Sequence, residues 1–151
     1  MKNFWTMIIL AGLMALVSVM PAAAQDVVTG VKGFDVSFTA PMAFYAADTK
    51  LPAGSYHITQ GARPGVLLVK SDKGKYEAQV PFEAGASRKR VRNIEVSFNK
   101  YGNDEFLNSI SAEDVVHTSW ILKIKPSARE LAAAKTAAAV PHKVSGVYIR
   151  K

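Results

Sequence analysis

The sequence predicts an all-β domain, an antiparallel barrel or sandwich of about seven or eight strands with one short C-terminal helix. Three observations predict it. Apolar and polar residues alternate from Phe34 onward, the mark of strands with one buried face. Turn residues interrupt that alternation at short intervals. The pattern changes after Pro126, where the chain becomes rich in alanine.

The chain opens with export chemistry. Lys2 is the only charge before Asp26, and Trp5 to Met20 is apolar apart from Thr6, Gly12 and Ser18. Pro21-Ala22-Ala23-Ala24-Gln25 follows, a helix breaker and then small side chains. A basic start, an apolar middle and an A-x-A-like site define a secretory signal, so residues 1–24 are expected to be removed. Residues 25–151 then form a single β domain, long enough for one core and too short for two. No second long apolar run follows, so no stable transmembrane segment is expected after cleavage, and the destination is the periplasm or the extracellular space.

Strand by strand, Phe34, Val36, Phe38, Ala40, Met42, Phe44 and Ala46 take alternate positions, with a bend expected at Pro41. Leu51-Pro52-Ala53-Gly54 is turn chemistry. Tyr56 and Ile58 then point one way, and Ser55, His57 and Thr59 the other. Val66-Leu67-Leu68-Val69 is apolar on both faces, as a central strand is. Ser71-Asp72-Lys73-Gly74 predicts a hairpin with Gly74 at positive φ. Tyr76, Ala78, Val80 and Phe82 alternate on the return, and Glu83 to Arg90 is expected to be a loop.

Ile94, Val96 and Phe98 form the next strand, and Tyr101-Gly102-Asn103-Asp104 reverses the chain. Phe106, Leu107 and Ile110 resume the apolar pattern. Ser111 to Asp114 is a polar link leading to Val116, Trp120, Leu122 and Ile124. Ser127-Ala128-Arg129-Glu130 has the capping-box pattern, in which serine and glutamate satisfy each other's amides. A helix is expected near 127–139, ended by Pro141, with Leu131 packing it on the domain. Val144 to Ile149 has a mixed pattern that allows one more strand.

These elements occur in a recognisable order. A signal peptide, Ala43-Phe44-Tyr45, Leu51-Pro52-Ala53-Gly54-Ser55-Tyr56, Phe98-Asn99-Lys100-Tyr101-Gly102, Phe106-Leu107, Trp120 and Glu130-Leu131-Ala132 follow one another. The chain resembles a group of small secreted β-proteins of unknown function found mainly in acidobacteria and similar soil bacteria. The shared residues are turn and core residues. The resemblance therefore implies a fold and carries no activity, cofactor or site residue.

Function classes narrow by chemistry. Cysteine is absent, which removes disulfides, thiol catalysis and a lipoprotein anchor. The formal charge is +7, of which Lys2 in the leader contributes one. A basic exported domain suits an anionic partner such as an acidic envelope or extracellular polymer. Arg88-Lys89-Arg90-Val91-Arg92 is the densest basic cluster. Arg88, Lys89, Arg90 and Arg92 are therefore the anion-binding candidates, and the alternative is a solvated loop that discourages edge-to-edge aggregation.

His57, His117 and His142 are far apart in sequence, where metal sites favour short local spacings. There is no G-x-S-x-G and no predicted strand–turn–helix to hold a nucleophile. The acidic pairs Asp104-Glu105 and Glu113-Asp114 fall in expected turns and links. No catalytic residue, metal ligand or cofactor is expected. The sequence points to a non-catalytic exported domain that binds, or is structural, at the cell envelope or outside the cell. A small barrel carrying an apolar ligand between inward aromatics is the alternative.

Overall fold

A computed structural model describes residues 35–86, 93–113 and 119–149. The signal segment, Phe34, the basic cluster at Arg88, Lys89, Arg90 and Arg92, and His117 lie outside the described residues.

Among the described residues, alternation produces ten strands, and the alanine-rich stretch one helix. They are β1 (Asp35–Ala40), β2 (Phe44–Ala46), β3 (Thr49–Leu51), β4 (Gly54–Gln60), β5 (Val66–Ser71) and β6 (Glu77–Ala86). Then come β7 (Ile94–Tyr101), β8 (Asp104–Glu113), β9 (Ser119–Ile124), α1 (Ala128–Ala134) and β10 (Val140–Tyr148). Eight of the strands close an antiparallel barrel in the order β1-β4-β5-β6-β9-β8-β7-β10, with β10 returning to β1. Closure settles the choice between barrel and sandwich. It also pairs strand edges that would otherwise recruit other chains.

The inner face is the one the alternation predicts. Val36, Phe38, Ile58, Val69, Val80, Val96, Phe98, Ile110 and Leu122 are all buried in one cluster. Four rings fill one end of it. Phe38, Phe44, Tyr56 and Phe98 stand with centroids 5.2–6.1 Å apart, the range in which aromatic pairs attract beyond simple burial.

The β2–β3 hairpin lies outside the closed ring of strands. β9 pairs with β8 at residues 109–113 and leaves the start of β8 free on that side. β2 takes the vacant edge in parallel, with Tyr45 beside Phe106. The expected single run to Ala46 is therefore two strands, split at Pro41, with Met42 turned outward. Ala47 turns the hairpin at φ 55°, an uncommon conformation for a residue with a Cβ.

Two expected loops, and one expected helix stop, lie in strands. Glu83–Ala86 continues β6, whose first half pairs with β5 and second half with β9. Ser111–Glu113 continues β8, held by β9 throughout and by β7 at Ser111. Pro141, expected to end the helix, lies inside β10. It faces Asn99 of β7, while β1 reaches β10 only at residues 146–148. Proline's missing N–H therefore costs no ladder bond there.

The helix is shorter than expected. It runs Ala128–Ala134, and the Thr136 hydroxyl takes the Ala133 carbonyl at 2.9 Å just beyond it. Leu131 is 53% exposed and does not dock the helix. Glu130 does, as the helix's buried residue. Among the described residues no helix is long and apolar enough to cross a membrane.

Candidate functional site

Strand register, invisible in sequence, assembles three polar clusters. The first starts on the outer face of β1 and β4. Ser37 stands opposite His57, which brings the ring within reach of Asp35 near one end and Asp72 near the other. His57 Nδ1 is 2.9 Å from Asp35 Oδ1, and Nε2 is 3.0 Å from Asp72 Oδ1. Asp35 is buried, while His57 is half-buried and Asp72 exposed. A ring carrying a proton on each nitrogen donates to both carboxylates. His57 thus fixes the orientation of Asp72, and Asp35 fixes that of His57.

Asp72 also lines a cavity of about 330 Å³ at the barrel mouth. Pro52, Ser55 and Tyr56 form one side, and Lys73, Lys75 and Tyr76 the other. Tyr76 keeps the inward parity expected of it but lies ahead of β6, beyond the end of the core, and is 38% exposed. Burial raises the pKa of the neighbouring Tyr56, with Tyr76 adding to the effect.

The second cluster lies inside the wall. Glu105 is 2% exposed, and its Oε1 bonds His142 Nδ1. Its Oε2 has no hydrogen-bond partner. His142 stacks at an angle on Phe98, centroids 5.9 Å apart. The sequence pair Asp104-Glu105 is split by the pleat, since neighbouring residues on a strand face opposite ways.

The third cluster joins helix to barrel. Ser127 Oγ accepts from the Glu130 amide at 3.2 Å, as the capping pattern predicts. The Glu130 carboxyl does not return the bond. It turns to the barrel and accepts from Asn99 Nδ2 at 3.4 Å and from Tyr101. Burial raises the Glu130 pKa, opposed by those two bonds. Tyr101 is raised too, first by burial and then by the Glu130 charge. Beside them Arg129 and Lys50 hold their charges 5.0 and 5.4 Å from the Tyr45 ring centroid, close enough for cation–π attraction.

None of these clusters has the geometry of a nucleophile with its base. Ser97 and Lys100 have the S-x-x-K spacing of acyl-transfer serines. In β7 that spacing puts them on opposite faces, and Ser97 Oγ bonds Ser109 Oγ at 2.6 Å. Among the described residues no three His, Asp or Glu side chains converge so as to hold a metal ion. Sequence reasoning missed Asp35, Asp72 and Tyr76. The signal available was an acidic residue leading into a buried strand and another in the hairpin. No family model, curated protein or solved structure matches this chain.

Proposed function

We propose that this chain is an exported, non-catalytic domain that binds an anionic polymer of the cell envelope or the extracellular space. The excess of basic residues and the leader-like first residues support it. The structural observation that carries it is the ring packing of Phe38, Phe44, Tyr56 and Phe98. With that end of the barrel occupied by its own side chains, recognition falls to the outer surface and the mouth. The same packing weighs against a carrier of apolar ligands. Both described histidines face carboxylates rather than a hydroxyl nucleophile, which favours binding over hydrolysis.

Retention on immobilised heparin tests the reading. Elution is expected to need more salt for the parent than for an Arg88→Ala/Arg90→Ala double variant, because each lost phosphate- or sulfate-type contact flattens the salt dependence. Retention that ignores salt would reject it. Export has its own check. The N-terminal residue of protein recovered outside the cytoplasm is expected to be Gln25, and material still beginning at Met1 would refute the leader.

A further inference from the structure

We infer that the mouth cavity between the β3–β4 turn and the β5–β6 hairpin binds one ring of an acidic sugar. The inference rests on the polymer-binding reading above, and adds where the polymer is gripped and what kind it is.

The cavity is built before any ligand arrives. Tyr56 Oη donates to the Pro52 carbonyl at 2.6 Å and pins the β3–β4 turn. The Asp72 amide donates to the Ser55 carbonyl at 3.1 Å and ties the hairpin to β4. Within the hairpin, the Ser71 amide donates to the Tyr76 carbonyl at 2.8 Å, and the Tyr76 amide returns to Ser71 Oγ at 3.0 Å. Gly74, at φ 67°, closes the loop where a side chain would be strained. Walls held this way lose little freedom on binding, which favours affinity. The volume, about 330 Å³, lies at the low end of small-ligand pockets.

Its chemistry selects the ligand. Tyr76 offers an exposed ring, a flat apolar surface against which the C–H face of a sugar lies. Asp72, held by His57 and through it by Asp35, is an oriented acceptor for sugar hydroxyls. Lys73 makes no ion pair among the described residues, and Lys75 Nζ sits 5.4 Å from the Tyr76 ring centroid. Two ammonium groups against one carboxylate leave a surplus positive charge for a uronate or sulfate. A lipid tail would leave the charges of Asp72, Lys73 and Lys75 unmatched. Single-stranded nucleic acid normally stacks successive bases on several aromatics, and this lining exposes the Tyr76 ring while Tyr56 is buried.

Calorimetric titration of the leader-free protein decides it, with tetragalacturonate, its methyl ester, maltotetraose and a short single-stranded DNA as probes. The acid is expected to bind, and its ester and the neutral sugar to bind at least about tenfold more weakly. Tyr76→Ala, at an exposed position, and Lys73→Gln/Lys75→Gln are each expected to weaken the acid by about tenfold, with circular dichroism unchanged. Equal binding of acid and ester, tighter binding of the DNA, or a Tyr76→Ala variant with parental affinity overturns the site. If Arg88→Ala/Arg90→Ala abolishes binding while Tyr76→Ala leaves it intact, the polymer reading survives and the mouth site falls. If no acidic polymer binds at all, both fall.

Discussion

Asn99 and Glu130, 31 residues apart, meet where the first turn of α1 crosses β7, the amide donating to a carboxyl oxygen at 3.4 Å. Burial there raises the Glu130 pKa above 4.5, so the folded chain holds its proton to higher pH than the unfolded chain. Between 4.5 and the raised value the native state binds more protons, and stability falls as pH rises. Glu130→Gln keeps the acceptor and removes the titration. The variant is expected to be more stable than the parent at pH 7, with the gap narrowing as pH drops towards 4.5. Chemical denaturation at several pH values measures it, and a gap that widens on acidification would contradict the assignment.

Ser127→Ala removes the acceptor for the Glu130 amide. A lost N-cap costs about 1 kcal/mol. α1 is only seven residues long, too short to hold its shape unaided. Faster amide exchange across Ala128–Ala134, with barrel strands unaffected, is the expected signature.

Gly146 faces inward on β10 with almost no room. A Cβ there would stand 2.8 Å from Ile94 Cγ2 and 3.0 Å from Val36 Cγ1. Gly146→Ala is expected to cost about 1–3 kcal/mol through overpacking. Gly85, where a Cβ would meet Ile121 Cγ2 at 3.9 Å, is the control. Gly85→Ala is expected to stay within about 0.5 kcal/mol of the parent. Thermal unfolding of the pair makes the comparison, and equal losses would mean that β10 packs otherwise.

Phe98 touches Phe38, Phe44 and His142 with its ring. Phe98→Ala is expected to lose about 3–5 kcal/mol. The near-ultraviolet dichroism of the neighbouring rings is expected to weaken with it. A loss below about 1 kcal/mol would show that the interior is loose enough to admit a ligand.

Much of the barrel was legible because period two is enforced by burial itself. Tyr56 and Ile58, Ala78 to Phe82, and Val96 to Phe98 all face where alternation puts them. β10 was legible only in part: a strand is allowed from Val144 to Ile149, and the structure begins it at Val140. Its inward residues are His142, Val144, Gly146 and Tyr148, a set without a hydrophobic signature, and Pro141 mimics a stop. The missing fact is tertiary: β1 leaves the sheet before reaching residue 141. Tyr76 shows the converse, correct parity placed one step beyond the core. The Asp35–His57–Asp72 chain stayed hidden because pairing register, rather than any local spacing, brings the three together.

The neighbours of β10 are β7 and β1, so the final strand is the wedge between the earliest part of the barrel and a middle part. Without residues 140–148 the other seven strands of the ring are an open sheet with two bare edges, and shutting it takes the most sequence-distant pairing in the barrel, β1 with β10.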